Sequence, residues 1–261
     1  MPKVKTGEIS TYYEVHGEGE PLVLIHGLGS SARDWEFQVD FFADKFQVIT
    51  YDVRGHGQTD KPIDPYNIPL FTDDLVRLLE VLDTPLSHII GISMGGMVAF
   101  QLAVSYPERV RSLTLVNCWA DFVPHSFRER LNLWQRVILF RLFSMRKIGE
   151  MLAGRLFIKP EQEEIRQMFI ERWAENHKPA YMAAMKGMVG WSVVDRVGEI
   201  ACPTLLIAAD EDYTPVAYKE SYAAQMQNAE LVVIEDSRHA TMVEKPEEFN
   251  QAVMEFLEGV E

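Results

Sequence analysis

The chain has 261 residues, of which 47% are apolar and 25% are charged, a composition typical of a soluble protein that can bury a large core. Its net charge of −14 argues against a nucleic-acid partner and against an anionic membrane surface, since both attract basic proteins. We therefore expect no nucleic-acid partner and no membrane partner.

The two cysteines, Cys118 and Cys202, lie far apart and form neither a CxxC pair nor a zinc-ligand spacing. We expect both to be buried free thiols, as in proteins of a reducing cytoplasm. The first residues lack the apolar core of a signal peptide, and no apolar run reaches the roughly 18 residues of a membrane span. The expected location is the cytoplasm.

Strand and helix patterns alternate from the start of the chain. Residues 8–16 alternate apolar and polar side chains, as an antiparallel strand does. Residues 22–25 and 46–51 are continuous apolar runs, typical of strands that are covered on both faces. Between them, residues 35–42 carry apolar side chains at helical spacing.

The same alternation continues through the next 70 residues or so. A helix is predicted over residues 71–82, with residues 72–74 capping its start. An apolar strand over residues 88–92 is followed directly by a helix that ends near Tyr106, and residues 112–117 form a further strand. This order predicts a mostly parallel sheet with helices on both faces.

The pattern breaks at Cys118. Residues 119–198 show no strand pattern and are rich in Trp, Phe, Met, Arg and Glu. We interpret them as a helical cap inserted between two strands, above the strand ends. Most of their aromatic and methionine side chains should form helix core, and a few should line an apolar pocket of adaptable shape. The predicted domains are a core made of residues 1–118 and 199–261, interrupted by the cap at 119–198.

Strands return after the cap. Residues 203–209 and 231–234 are apolar runs, separated by a helical stretch at 216–226, and residues 246–257 form an amphipathic helix. The completed order describes an α/β protein whose sheet strands alternate with helices on either side of the insertion.

The sequence Gly-x-Ser-x-Gly at residues 91–95 lies between a predicted strand and a predicted helix. A serine in that position turns so sharply that Ser93 should adopt a positive φ, at a cost of about 1–3 kcal/mol. Gly91 and Gly95 occupy positions where a Cβ would crowd the contact between strand and helix. This arrangement is a nucleophile elbow, which presents the hydroxyl at the positive end of the helix.

A serine hydroxyl needs a nearby base, and that base needs a partner that orients it. His239 follows the last strand, at the same end of the sheet as the elbow, and suits the role of base. Asp210 and Asp212 both follow the preceding strand. We favour Asp212 as the orienting acid because it lies deeper in the loop. Asp210 would instead support the backbone amides of the loop.

The oxyanion that forms during acyl transfer needs two hydrogen-bond donors. The backbone N–H of Met94 directly follows the nucleophile, and the backbone N–H of Leu28 lies in the glycine-rich loop after an earlier strand. In that loop His26 is expected to anchor the backbone. The stretch at residues 54–57 is expected to fix another loop, through Asp52 and Arg54.

With these motifs the sequence resembles the α/β-hydrolase superfamily over nearly its full length outside the cap, and most of all small carboxylesterases and 3-oxoadipate enol-lactonases. The matching stretches are residues 25–29, 51–57, 91–96, 212–215, His239 and 246–249. The resemblance implies the α/β-hydrolase fold, a Ser93–Asp212–His239 triad and no metal or organic cofactor. Ala209 occupies the position at which a common family motif has glycine. Asp210 therefore remains an alternative to Asp212 as the acid. A serine nucleophile disfavours haloalkane dehalogenases and epoxide hydrolases, which need a carboxylate there.

The predicted function is that of a carboxylesterase (EC 3.1.1 type), a serine hydrolase that cleaves small to medium apolar esters through an acyl-enzyme. Alternatives are a 3-oxoadipate enol-lactonase, a carbon–carbon bond hydrolase and a small-molecule receptor without turnover. An enol-lactone of that kind carries a carboxylate, so its pocket should present a cation. The cap offers six, which are expected to lie on a solvated helix face: Arg128, Arg130, Arg136, Arg141, Arg146 and Lys147. The expected partner is a small-molecule substrate, and the expected assembly is a monomer or small homo-oligomer.

Overall fold

A computed structural model describes residues 2–260 and gives the bounds of every strand and helix named below. The strands are β1 (Lys3–Thr6), β2 (Ile9–His16), β3 (Glu20–Ile25), β4 (Phe46–Tyr51), β5 (Ser87–Ile92), β6 (Val110–Val116), β7 (Thr204–Ala209) and β8 (Ala229–Ile234). The core helices are α1 (Glu36–Ala43), α2 (Ile68–Val81), α3 (Met94–Ser105), α8 (Val216–Ala223), α9 (Thr241–Glu244) and α10 (Pro246–Glu258). The helices between β6 and β7 are α4 (Phe127–Leu142), α5 (Met145–Leu156), α6 (Glu163–Ala174) and α7 (Lys178–Met188).

The eight strands form one sheet in the order β1-β2-β4-β3-β5-β6-β7-β8. Strands β1 and β2 run antiparallel to their neighbours, and the six strands from β4 to β8 in that order are parallel. The predicted mostly parallel sheet and the predicted α/β-hydrolase fold are confirmed. Because the carboxyl ends of parallel strands share one edge, the loops after β3, β5, β7 and β8 lie near one another.

Helices cover both faces of the sheet, as predicted. The side chains of β3 alternate between two apolar clusters, with Val23 in one and Leu24 in the other. On the first face they join Phe71 of α2 and Phe100 of α3, and on the second they join Phe249 of α10. The continuous apolar run of β3 is therefore explained by burial on both sides.

Two details differ from the sequence expectations. The edge strand β1 was not predicted, because only Thr6 among its four residues is buried and its lysines mask the alternation. Helix α2 begins three residues earlier than predicted, and its cap is Asn67, whose side chain accepts a hydrogen bond from the Leu70 amide at 2.9 Å. The predicted cap at residues 72–74 is wrong, because Thr72 lies inside the helix and bonds to the Ile68 carbonyl.

The region from α4 to α7 is helical, as expected, and just outside it Asp121 and Ser192 form an isolated β bridge. A third apolar cluster holds these helices together around Ile148, Trp173, Tyr181 and Met185. Helix α4 is the least packed, with Phe140 its one buried residue. The division into a core and a cap at 119–198 stays a prediction.

The two thiols are both free, but they differ in burial. Cys118 is buried against Gly96, as expected, and burial raises the pKa of its thiol to about 12. Cys202 is only partly buried, so the expectation of two fully buried cysteines was wrong for this residue. Across residues 2–260, each helix is too short or too polar to cross a membrane.

Candidate active site

Ser93 lies at the turn between β5 and α3 with φ 55° and ψ −117°. Its amide donates to the Val116 carbonyl at 3.0 Å, and its carbonyl accepts from the Met97 amide at 3.1 Å. A Cβ on Gly91 or Gly95 would collide with backbone atoms of the neighbouring strand or helix. The strained serine and its two flanking glycines therefore have the geometry that the sequence motif predicts.

Asp212 and His239 meet directly, because the loops after β7 and β8 end at the same edge of the sheet. Asp212 Oδ1 lies 2.9 Å from His239 Nδ1, and the Asp212 side chain is fully buried. Asp210 instead accepts a hydrogen bond from the Ser237 amide at 3.2 Å. The sequence did not decide between these two aspartates. Their contacts differ, and Asp212 is the one in contact with His239.

Asp212 is surrounded by donors that favour its charged form. Burial alone would raise its pKa, but the hydrogen bond and charge of His239, with Thr214 and Lys219, lower the pKa below its usual range. The Thr214 hydroxyl donates to Asp212 Oδ2. Lys219 Nζ lies 3.4 Å from the same oxygen and 2.8 Å from the Thr214 carbonyl. Lys219 is 1% exposed, and no sequence pattern had marked it.

Tyr213 is a second residue that sequence reasoning missed, although it is adjacent to Asp212. Its hydroxyl lies 2.8 Å from His239 Nε2, and its ring stacks on the imidazole with centroids 4.3 Å apart. Because Nδ1–H donates to Asp212, Nε2 carries the lone pair and accepts from the phenol. Nε2 therefore pairs with Tyr213 in this structure rather than with Ser93.

The loop after β3 lies against the elbow. A Cβ built on Gly27 would be 3.5 Å from Ser93 Cβ. The loop therefore comes close to the serine at the residue before Leu28. His26 anchors this loop as expected, because its Nε2 accepts from the Val53 amide at 2.9 Å and its Nδ1 lies 2.8 Å from the Gly27 carbonyl. Met94 is the first residue of α3, where the amide has no acceptor within the helix.

The stretch at residues 54–57 is structural, as predicted. Arg54 forms a buried ion pair with Asp74, with Nε 2.6 Å from Oδ2. Asp52 accepts from the amides of Ala32 and Gln58. Burial lowers the pKa of His56 to about 3, so this imidazole stays neutral near pH 7.

Two adjoining cavities are lined by His239, and the inner one is also lined by Ser93. The inner cavity, of about 120 Å³, is lined by Gly27, Leu28, Ser93, Trp173, Tyr181 and Met185 among others. The outer cavity, of about 1300 Å³, lies mainly between α4, α5 and the loop that carries Asp212. Both cavities are lined by Arg136, Leu152, Leu156, Tyr213 and His239, which form the boundary between them. Their walls are mostly apolar, as in pockets for small molecules.

The basic residues that were expected on a solvated face divide into two groups. Arg146 pairs with Glu171 and Lys147 with Glu150, all at the surface. Arg136 is exposed too, as expected for a solvated face, but it also lines both cavities. The signal was its spacing: Arg136 lies one helical turn before Phe140, the buried residue of α4. In the described part of the chain, no three His, Cys, Asp or Glu side chains are grouped to hold a metal ion.

Comparison with known proteins gives one family. The model of the alpha/beta hydrolase family matches residues 22–252. The chain is 31% identical to a putative carbamate hydrolase, RutD, of Azorhizobium caulinodans over 98% of each chain. It is 30% identical to 3-oxoadipate enol-lactonase 2 of Acinetobacter baylyi, over 94% of this chain and 92% of that one. Among solved structures, a thermophilic esterase from Thermogutta terrifontis has a TM-score of 0.91 at 28% identity, over 100% and 99% of the two chains.

Proposed function

The chain belongs to the alpha/beta hydrolase family, whose members act on small molecules, and within it we propose a serine hydrolase that cleaves carboxylic esters through an acyl-enzyme. The proposed triad is Ser93 as nucleophile, His239 as base and Asp212 as the acid that orients the base. The backbone amides of Leu28 and Met94 are the proposed oxyanion donors.

One observation carries this proposal: the buried Asp212 carboxylate holds His239 by Nδ1, and His239 lines the same cavity as Ser93. A base is useful only in that tautomer, because Nε2 must accept the serine proton. In this tautomer the Tyr213 hydroxyl, 2.8 Å from Nε2, is the hydrogen-bond donor.

The reaction follows from these positions. Ser93 Oγ attacks the ester carbonyl while its proton moves to His239 Nε2, and the carbonyl oxygen becomes an oxyanion between the two backbone amides. The C–O bond to the alcohol then breaks, and the alcohol leaves with the proton from Nε2. Water repeats both steps on the acyl-enzyme and releases the acid. The hydrogen bond between Tyr213 and Nε2 has to break before the first step. A substrate that enters between the two cavities, where Tyr213 and His239 lie, would displace the phenol.

The cavities support a small acyl group and a larger approach path. The inner cavity, next to the elbow, has a volume of about 120 Å³, which suits a short acyl chain. Its apolar walls include Ile92, Trp119, Phe122 and Met185. The outer cavity leads away from His239, where a leaving alcohol would depart.

The test is a series of p-nitrophenyl esters of increasing acyl length, with 3-oxoadipate enol-lactone measured beside them. We expect hydrolysis of the short esters and a fall of at least about 10³-fold in kcat for Ser93→Ala, with an unchanged circular dichroism spectrum. Ester turnover at the wild-type rate in a purified Ser93→Ala sample would refute the proposal.

Three alternatives give different results in the same assays. An enol-lactonase, suggested by the 30% identical relative of that name, would prefer the lactone to every ester. A carbon–carbon bond hydrolase would cleave a 1,5-diketone and leave the esters. A receptor would release one equivalent of p-nitrophenolate without further turnover.

A further inference from the structure

We infer that Arg136, Tyr181 and Trp173 form an anion subsite beside Ser93, which binds a carboxylate carried by the acyl part of the substrate. This inference rests on the proposed function and narrows its substrate class, from apolar esters in general to those whose acyl chain carries an acid group.

The first evidence is a pair of buried donors without acceptors. Trp173 Nε1 and the Tyr181 hydroxyl have no hydrogen-bond partner among residues 2–260, although the two residues are only 8% and 1% exposed. Buried polar groups are nearly always paired, because an unpaired one loses its bonds to water without replacement. Both residues line the inner cavity with Ser93. A ligand in that cavity is therefore the acceptor that these two donors lack.

The two donors are held rigidly against the loop after β3. A Cβ on Gly29 would lie 2.6 Å from Trp173 Cζ2 and 2.8 Å from Tyr181 Cε2, so the rings pack directly on that glycine. The rings also contact each other edge to face, with centroids 6.2 Å apart. A rigid pair of donors this close to Leu28 can bind a group on the substrate while its ester lies at Ser93.

The second evidence is the charge of Arg136. Within the described residues no carboxylate lies within ion-pair distance of it, and unlike Arg128, Arg130 and Arg141, which also lack an ion pair, Arg136 lines the inner cavity. Its guanidinium carbon lies 5.2 Å from the centroid of the Phe140 ring, which is itself 6.1 Å from the Tyr181 ring. Burial raises the pKa of the Tyr181 phenol to about 12, and the Arg136 charge acts in the opposite direction.

The acidic side chains at the cavities are already neutralised by other cations. Asp34 lies 3.2 Å from Arg172, and Glu211 lies 2.8 Å from Arg238. Asp212 is held by His239 and Lys219. Among the described residues, Arg136 and Arg155 line the outer cavity without an ion-pair partner, and of the two Arg136 also lines the inner cavity, whose unsatisfied groups are donors. A carboxylate supplies the missing negative charge and acceptors together, in the planar geometry that a guanidinium matches.

The kinetic test compares esters that differ only at the far end of the acyl chain. The monomethyl esters of succinic, glutaric and adipic acid are compared with the methyl esters of butanoic, pentanoic and hexanoic acid. For at least one chain length, wild type should prefer the acid-bearing ester in kcat/KM. Arg136→Gln should lower this preference by about 10- to 100-fold, the usual value of a charge-assisted hydrogen bond. Arg136→Lys should restore part of the preference.

Arg141→Gln is the matched control, since this arginine lies on the same helix but does not line either cavity. It removes the same charge from α4 and should leave the preference unchanged. A preference for the neutral ester at every length, or equal losses in Arg136→Gln and Arg141→Gln, would overturn the inference.

A binding test separates this inference from the proposed function. Calorimetric titration of Ser93→Ala with glutarate should show binding at one site, which the added Arg136→Gln change abolishes and the added Tyr181→Phe change weakens several-fold. If wild type hydrolyses no ester, the proposed function fails and this titration still decides on the subsite. Glutarate binding that is absent, or equally strong after Arg136→Gln, would refute the anion subsite.

Discussion

Replacement of Asp212 by asparagine tests the acid that orients His239, with Asp210→Asn as its control. The side-chain amide introduced by Asp212→Asn would present either an oxygen or an NH₂ group to Nδ1 and would carry no charge. The imidazole would lose the partner that fixes its tautomer and stabilises its protonated form. We expect kcat/KM for p-nitrophenyl acetate to fall by about 10³- to 10⁴-fold in Asp212→Asn. Asp210→Asn should change it less than about threefold, because Asp210 accepts only backbone N–H groups.

The same substitution should also destabilise the protein. Lys219 lies 3.4 Å from Asp212 Oδ2 and is 1% exposed, so Asp212→Asn leaves a buried ammonium without its counter-charge. Breaking a buried ion pair on one side costs about 3–5 kcal/mol. Burial already lowers the pKa of Lys219, and loss of a proton would relieve part of that cost. We therefore expect the free energy of unfolding in urea at pH 7 to fall by about 3 kcal/mol.

The destabilisation should depend on pH in a defined direction. The pKa of Asp212 is lowered in the folded protein, so its carboxylate stabilises the fold above the unfolded-state pKa of about 3.9. This contribution is lost as the pH falls through the folded-state pKa. The stability difference between wild type and Asp212→Asn should thus shrink from pH 7 to pH 3.

A ten-fold or smaller loss of activity in Asp212→Asn, with a larger loss in Asp210→Asn, would refute the assignment of the acid.

Three further predictions concern the surroundings of the triad. Tyr213→Phe removes the phenol that holds His239 Nε2, so kcat/KM for p-nitrophenyl acetate should rise by about fivefold, the value of one hydrogen bond; a fall of ten-fold or more would mean that the hydroxyl assists the reaction. Arg54→Met leaves the buried Asp74 carboxylate with Arg77 alone, 3.6 Å away and partly exposed, and should lower the free energy of unfolding by about 3 kcal/mol, measured in urea, with most of the loss recovered on adding Asp74→Leu. Gly95→Ala places a Cβ against backbone carbonyls and should lower the unfolding free energy by at least about 1–3 kcal/mol; an unchanged urea midpoint would contradict the packing described at the elbow.

The sheet and the elbow could be predicted from sequence because their signals are local. The buried runs of β3, β5 and β7 have the apolar character that burial on both faces requires. The turn at Ser93 needs glycine on each side, for reasons that depend only on the adjoining strand and helix. Strand β1 was missed because an edge strand with one buried residue leaves almost no pattern.

The remainder of the site depends on contacts between distant segments, which no local pattern reveals. Lys219 reaches Asp212 because α8 turns back over the loop after β7, and the sequence gives no sign of a buried lysine. Tyr213 was passed over although it adjoins Asp212, since its direction is set by the cavity and not by its neighbours in sequence. Arg136 is exposed, as expected, but its place at the cavities depends on how α4 packs against Tyr181, which the exposed apolar residues of α4 obscure in the sequence.

Covalent labelling tests the central claim most directly. On treatment with diethyl p-nitrophenyl phosphate, the native protein should release one equivalent of p-nitrophenolate, and mass spectrometry of its peptides should place a single diethylphosphoryl group on Ser93. Ser93→Ala should release none above the background rate. Labelling at a different residue, or full ester hydrolysis by a protein that carries no label after prolonged treatment, would contradict the account.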